Sequence, residues 1–90
     1  MIMKATALKE LQTIPGVGKT IAEDFWNLGL RKVADLKRQN PEKLYDRLCQ
    51  LQGTQGDRCM LYVMRCAVYF AATKTPKPDL LKWWNWKDRK

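Results

Sequence analysis

The sequence predicts an all-α fold, a compact domain of four to five short helices followed by a tryptophan-rich C-terminal tail. Apolar residues recur every three or four positions along much of the chain, the spacing of one buried helix face. Proline and glycine interrupt this pattern and mark where helices end. Three of the four tryptophans lie within four residues near the C-terminus, which sets the tail apart from the helical part.

The chain length indicates a single domain. Its 90 residues can form one modest core and leave no room for a separate catalytic domain. We expect residues 1–74 to form this domain. Residues 75–90 read as a proline-containing linker and a basic, tryptophan-rich tail that packs on the domain or extends from it. The 46% hydrophobic and 29% charged content is typical of a folded protein.

The first two predicted helices form a pair joined by a turn. Three apolar residues spaced by three predict the first helix over residues 5–13. These residues are Leu8, Leu11 and Ile14. The second helix begins at residue 19 or 20 and ends near residue 28, where Gly29 suits a left-handed cap.

The start of the second helix has two candidate caps. Gly18 directly follows the turn, whereas Thr20 and Glu23 have the spacing of a capping box. The choice matters because it decides which backbone N–H groups remain available to a ligand. The sequence leaves both open.

The middle of the chain predicts two further helices. Leu30, Val33 and Leu36 recur every three residues and predict a short helix. Asn40-Pro41 is a typical helix start, with asparagine as the cap and proline at the first helical position. The glycine-containing residues 52–56 end this helix.

The longest predicted helix covers about residues 57–73 and is apolar on two sides. A helix of this kind must be covered on both sides. One cover is the helical core, and the other is either the C-terminal tail or a second copy of the chain. Cys59 and Cys66 fall on the core-facing side, which favours a packing role over a redox role.

Composition limits the chemistry that the chain can perform. Histidine is absent, so the usual general base and any Ser-His or Cys-His nucleophile pair are missing. The three cysteines form no C-x-x-C pair, and we expect reduced thiols and no metal site. We therefore expect a protein that is not an enzyme and uses no cofactor.

The charge and hydropathy indicate where the protein acts. The formal net charge is +8, which creates a field that attracts polyanions. No run approaches the ~20 apolar residues that span a bilayer, and the N-terminus lacks the features of a signal peptide. We expect a cytoplasmic protein without a membrane partner.

The turn between the first two helices has the properties of an anion site. Pro15 restricts the backbone, and Gly16 and Gly18 permit angles that a Cβ would disfavour. Val17 can pack into the core. The free N–H groups and positive dipole end of the next helix lie beside Lys19, and nucleic-acid phosphate is the commonest large anion in a cell.

The residues of this turn carry a family resemblance. Ile14-Pro15-Gly16-Val17-Gly18, followed by Ala22 and Leu28-Gly29-Leu30, resembles the helix-hairpin-helix motif of DNA-binding proteins. As a whole, through the tail at residues 80–86, the chain resembles the small bacterial pathogenicity locus family, some of whose members carry a mitomycin-resistance label. The layout of residues 11–72 is also similar to the C-terminal domain of the competence regulator TfoX.

The resemblance implies a SAM-like, helix-hairpin-helix fold and DNA binding, double- or single-stranded, without sequence preference. The expected setting is DNA repair, recombination or competence. Related hairpins sometimes hold a monovalent cation on their carbonyls. Many carry two hairpins where this chain has one, so a homodimer would restore the second. The expected phosphate-binding residues are Pro15, Gly16, Val17, Gly18, Lys19, Thr20, Arg31 and Lys32. The last two belong to a crowd of cations over residues 31–38, which is either a phosphate-contacting flank beside the turn or a solvated face.

The tail and the overall function each leave alternatives. Trp83, Trp84 and Trp86 can pack on the long helix, stack on unpaired bases or anchor an unknown protein partner. The alternative to DNA binding is a helical protein-interaction adaptor with a vestigial hairpin. A third hypothesis is a DNA lyase that uses Lys19 or Lys32 in a Schiff base, although nothing in the sequence marks either lysine.

Overall fold

A computed structural model describes residues 3–53 and 58–87 of the chain. Within these ranges the secondary structure is helical and includes no β-strand, so the predicted all-α fold is confirmed. The α-helices are α1 (Lys4–Leu11), α2 (Lys19–Asn27), α3 (Pro41–Gln52) and α4 (Arg58–Ala72). Three 3-10 helices, Val33–Leu36, Pro78–Leu81 and Trp83–Trp86, complete the described elements.

Helices α1 and α2 pack against each other and contribute one side of the core. Leu11 and Phe25 are completely buried between the elements, and Ala22 provides the small side chain that permits their close approach. Helix α1 ends at Leu11, two residues before the predicted end. The N–H of Gln12 still donates to the carbonyl of Leu8, four residues back, whereas those of Thr13 and Ile14 donate to carbonyls only three residues back.

The C-terminal end of α2 leads directly into the first 3-10 helix. Gly29 has a φ of +93°, the left-handed cap that the sequence predicted. The carboxylate of Asp35 accepts a hydrogen bond from the N–H of Arg31 at 2.9 Å. Glu10, on α1, accepts one from the N–H of Val33 at 2.6 Å. The bond to Glu10 joins the 3-10 helix to α1. The short helix predicted around residues 30–36 is present as the 3-10 helix Val33–Leu36.

Helices α3 and α4 pack together on the other side of the core. The side chain of Asn40 accepts hydrogen bonds from the backbone of Glu42 and Lys43, as expected for the predicted cap. Gly53 ends α3 with a φ of +71°. Helix α4 is described from residue 58 to residue 72, close to its predicted bounds of 57–73; residue 57 lies outside the described residues.

The C-terminal tail folds onto α4. The hydroxyl of Tyr69 accepts a hydrogen bond from the N–H of Lys77 at 2.9 Å. The indole of Trp86 lies 5.4 Å from the Tyr69 ring and donates to the carbonyl of Leu80 at 2.8 Å. Cys66 is buried beneath this contact, and burial raises the pKa of its thiol. The described part of the tail therefore covers the second apolar side of α4.

Candidate functional site

The turn between α1 and α2 is built from local backbone bonds and one buried side chain. The N–H of Val17 donates to the carbonyl of Ile14 at 3.0 Å. Val17 and Ile14 are both buried, so the turn is anchored in the core. Gly16 has a φ of +83°, a conformation that side chains rarely adopt. The sequence predicted both the buried valine and the special backbone at this glycine.

Gly18 is the N-cap of α2, which decides between the two predicted helix starts. Its carbonyl accepts from the N–H of Ala22 at 2.9 Å, and it supplies no side-chain cap. The expectation of a special backbone at Gly18 was wrong, because its φ of −93° and ψ of −171° suit any residue. A Cβ there would meet no atom within 4 Å. Because glycine has no side chain, Gly18 leaves the N-terminus of α2 uncovered.

The start of α2 therefore has donors without protein acceptors. In the described part of the chain, no acceptor is bonded to the N–H groups of Gly18, Lys19 and Thr20. All three residues are exposed. The first turn of α2 contains no acidic side chain, and Lys19 adds a cation to the positive end of the helix dipole. This end of the helix can accept an anion from solvent.

The tryptophan-rich tail reaches this turn without closing it. A Cβ added to Gly16 would lie 3.2 Å from Cδ1 of Trp83, so the indole lies directly against the glycine. Gly16 and Gly18 nevertheless remain exposed. Sixty-seven positions separate Gly16 from Trp83, and no local sequence signal could have predicted their contact.

Arg31 and Lys32 lie at the opposite end of α2. The nine-residue helix spans about 13 Å at 1.5 Å per residue, so the structure does not bring them to the turn. The guanidinium of Arg31 stacks 3.6 Å from the centre of the Trp26 ring. It also donates to the carbonyl of Trp26 at 2.7 Å. Arg31 thus caps the C-terminal end of α2, whereas Lys32 is exposed.

Sequence reasoning missed two residues at this end. Trp26 supplies the ring under Arg31, and Arg47, on α3, donates to the carbonyl of Leu28 at 3.1 Å. Cationic side chains at helix C-termini are a known pattern, but the 19-residue separation of Arg47 from Leu28 hides it in the sequence.

The three clustered tryptophans have different environments. Trp83 and Trp86 are half-buried, whereas Trp84 keeps 50% of its surface exposed. The rings of Trp83 and Trp84 meet edge to face, with their centres 5.8 Å apart. Only Trp84 among them presents a large free ring surface.

A separate open groove of about 670 Å³ lies between the N-terminus of α3, the C-terminal half of α4 and the tail. The side chain of Arg65 lies across the groove. Its guanidinium donates hydrogen bonds to the carboxylate of Glu42 at 3.0 Å and to the carbonyl of Trp86 at 2.9 Å. Val68 and Tyr69 provide apolar lining. The groove therefore combines apolar lining with charged side chains.

The described residues contain neither a group of metal-ligand side chains nor a membrane-spanning helix. Over residues 3–53 and 58–87, no three His, Cys, Asp or Glu side chains are grouped so that they could hold a metal ion. Within the same residues, no helix has both the length and the apolar content needed to cross a membrane.

The fold and the turn together define a small all-helical protein in which α2, like α1, begins exposed and without a side-chain cap, and in which the start of α2 lies beside a tryptophan-rich tail. A family model described as "Pathogenicity locus" (Cdd1) matches residues 4–90. A relative named "Mitomycin resistance protein McrB", from Streptomyces lavendulae, is 30% identical over 77 residues, which are 86% of this chain and 70% of the relative. The chain belongs to the pathogenicity locus family, as its resemblance predicted. No solved structure shows significant similarity to it.

Proposed function

We propose that this protein binds DNA, without sequence specificity, through backbone amides of the turn at residues 15–20. In this proposal the turn is a helix-hairpin-helix, and the N–H groups of Gly18, Lys19 and Thr20 donate to phosphate oxygens of one strand. The observation that carries the proposal is the start of α2, which is exposed and has no cap from a side chain.

Charge supports the proposal. Lys19 places a cation beside the positive end of the helix dipole, so the side chain and the helix end can attract the same anion. The net charge of +8 would bring DNA to the surface from a distance. We place the protein in the cytoplasm and assign it to DNA repair, recombination or competence.

Contacts of this kind carry no information about bases. Phosphate contacts position a protein on DNA, whereas base-edge contacts provide specificity. If four or five phosphates are neutralised, the logarithm of the binding constant should fall with the logarithm of salt concentration with a slope of roughly −4. Duplexes of unrelated sequence should bind equally well.

The test is a titration of labelled single- and double-stranded DNA at about 50 and 200 mM salt. Gly18→Asp places a carboxylate at the proposed phosphate site, and we expect it to weaken binding by at least about tenfold, roughly 1.4 kcal/mol. A Cβ at this position meets open space, so the fold should be retained.

Asn27→Asp is the matched control. It changes the net charge equally, but at an exposed position at the other end of α2. We expect it to bind almost as well as the wild type. Equal losses in the two variants would show diffuse charge attraction, and binding insensitive to salt would exclude phosphate contacts; either result removes the proposal.

We further propose that a homodimer presents two such turns to the two strands of a duplex. A single turn contacts only one strand, so a monomer would bind a duplex weakly. Analytical ultracentrifugation with and without duplex tests this point. The dimer would be excluded if the protein stays monomeric at all concentrations and binds a duplex tightly as a one-to-one complex.

The groove beside α4 favours a second candidate function, a protein-interaction adaptor. Its apolar lining around Tyr69 and its fixed arginine, Arg65, could receive an apolar side chain of a partner. Gly18→Asp separates the two functions, because it should weaken DNA binding at least about tenfold and leave a contact at the groove intact.

A further inference from the structure

We propose that Trp84 is a stacking platform for an unpaired base of the strand held by the turn. The preferred substrate would then be DNA with a single-stranded segment, rather than a blunt duplex. This inference rests on the proposed function, because the turn must hold the strand for the ring to receive its base.

The environment of Trp84 fits a platform and not a packing role. Half of its surface is exposed, whereas Trp83 packs against the core and Trp86 packs against the ring of Tyr69. Isolated exposed apolar residues are common on proteins, and Leu51 is another in this chain. Trp84 differs because its ring is held edge to face by Trp83 at 5.8 Å, so one orientation is maintained.

The segment that carries Trp84 is fixed at both ends. Asn85 donates from its side chain to the carbonyl of Asp79 at 2.6 Å, and its backbone N–H donates to Lys82 at 3.0 Å. The indole of Trp86 donates to Leu80. A ring on a fixed segment loses little conformational freedom when a base stacks on it, which favours binding.

Trp83 connects the ring of Trp84 to the proposed phosphate site. One edge of Trp83 lies against Gly16, and its ring contacts Trp84. A strand that leaves the turn over Trp83 would therefore come next to Trp84.

The charge around Trp84 suits a strand that continues past it. Lys82 and Lys87 flank the 3-10 helix that carries the ring, and both are exposed. Aromatic rings set among cations are the usual construction for binding single strands, because the rings take bases and the cations take phosphates.

The experiment compares a blunt duplex with the same duplex bearing a single-stranded overhang, and with oligo(dT). Removing one stacking ring commonly weakens binding by roughly tenfold. We expect Trp84→Ala to show that loss on the overhang and on oligo(dT), with blunt-duplex binding unchanged. Trp84→Phe should keep most of the affinity, since phenylalanine also stacks. Leu51→Ala, another exposed apolar site, should change nothing.

Intrinsic fluorescence provides a direct signature. Oligo(dT) should quench the wild-type emission, and Trp84→Phe should lose most of that quenching while still binding. Circular dichroism checks that the variants are folded.

The outcomes separate the inference from the proposed function. If Trp84→Ala binds the overhang as well as the wild type, or loses equal affinity for the blunt duplex, the platform is disproved while the turn can still bind phosphate. If Gly18→Asp leaves blunt-duplex binding intact, the proposed function fails, and the platform fails with it.

Discussion

Two helices of this protein begin in opposite ways. Helix α3 begins at Asn40, whose side chain accepts hydrogen bonds from two backbone N–H groups, and its first turn contains Glu42. Helix α2 begins at Gly18, which offers no side-chain acceptor, and its first turn contains Lys19 and no acid. The first arrangement satisfies the free donors and the dipole within the protein. At the start of α2, the free N–H donors and the helix dipole are left for solvent or a ligand to satisfy.

The two helix starts differ in how much they contribute to the stability of the fold. A side-chain cap stabilises a helix by ~1 kcal/mol compared with alanine, and the chain uses one at α3. At α2 the position has room for a side chain, yet glycine occupies it. We interpret α3 as a structural helix start and, under the proposed function, α2 as one left open for a ligand. Substitutions in the turn and at the two helix starts test this interpretation, and a fourth tests the electrostatics of α2.

The largest effect is expected from Gly16→Ala. The φ of +83° and the indole of Trp83 at 3.2 Å both oppose a Cβ at this position. We expect the free energy of unfolding to fall by about 2 kcal/mol, measured by urea denaturation. Gly18→Ala is the matched control, expected to stay within about 0.5 kcal/mol of the wild type. Equal stability of the two variants would show that the turn does not keep this conformation in solution.

The next effect concerns the capped helix. Asn40→Ala removes both side-chain hydrogen bonds at the start of α3 and should lower the free energy of unfolding by ~1 kcal/mol. DNA affinity should not change, because the proposed site lies on α2. Asn40→Asp keeps the acceptor and should restore the stability. A loss of DNA affinity in Asn40→Ala would mean that the two helix starts do not have separate roles.

Gly18→Ser makes the start of α2 resemble that of α3. The serine oxygen can accept from the first free N–H groups, so the free energy of unfolding should rise by about 0.3 kcal/mol. The same hydrogen bond competes with phosphate, so DNA affinity should fall. Thermal melting and DNA titration measure the two changes. A variant that is both more stable and an equal DNA binder would show that the free amides do not contact phosphate.

The smallest effect is expected from Asp24→Asn, on α2. Burial and, secondarily, the carboxylate of Glu23 raise the pKa of Asp24 above its ordinary value. The folded state therefore binds the proton more tightly than the unfolded state, and stability falls as pH rises through the folded pKa. Asparagine removes this cost, so Asp24→Asn should melt at a slightly higher temperature at pH near 7. The advantage should disappear below the ordinary aspartate pKa of ~3.9. An equal difference at both pH values would contradict this account.

The parts of the fold that could be predicted from the sequence are those governed by local chemistry. Asn40-Pro41 specifies a helix start through one side chain and one ring, and Gly29 and Gly53 end helices through their backbone freedom. The buried Val17 followed from its place between two glycines. Each of these depends on neighbours within a few residues.

The parts that could not be predicted depend on distant residues. Arg31 looked like a phosphate ligand because it follows the turn in sequence, yet it caps the far end of α2 against Trp26. The three clustered tryptophans looked equivalent, yet the packing of Trp83 and Trp86 leaves Trp84 as the exposed ring. Both outcomes follow from how helices pack, which periodicity does not specify.

The sequence by itself determined the all-α class, the bounds of the four α-helices to within about two residues, and the family. It did so because proline, glycine and apolar spacing act over one or two helical turns. Only the tertiary structure decided that the tail lies on α4, that Trp83 reaches Gly16, and that α2 begins uncapped at Gly18. Those arrangements arise from burying apolar surface between segments far apart in the chain, and the free energy of that burial depends on the three-dimensional fit of the segments.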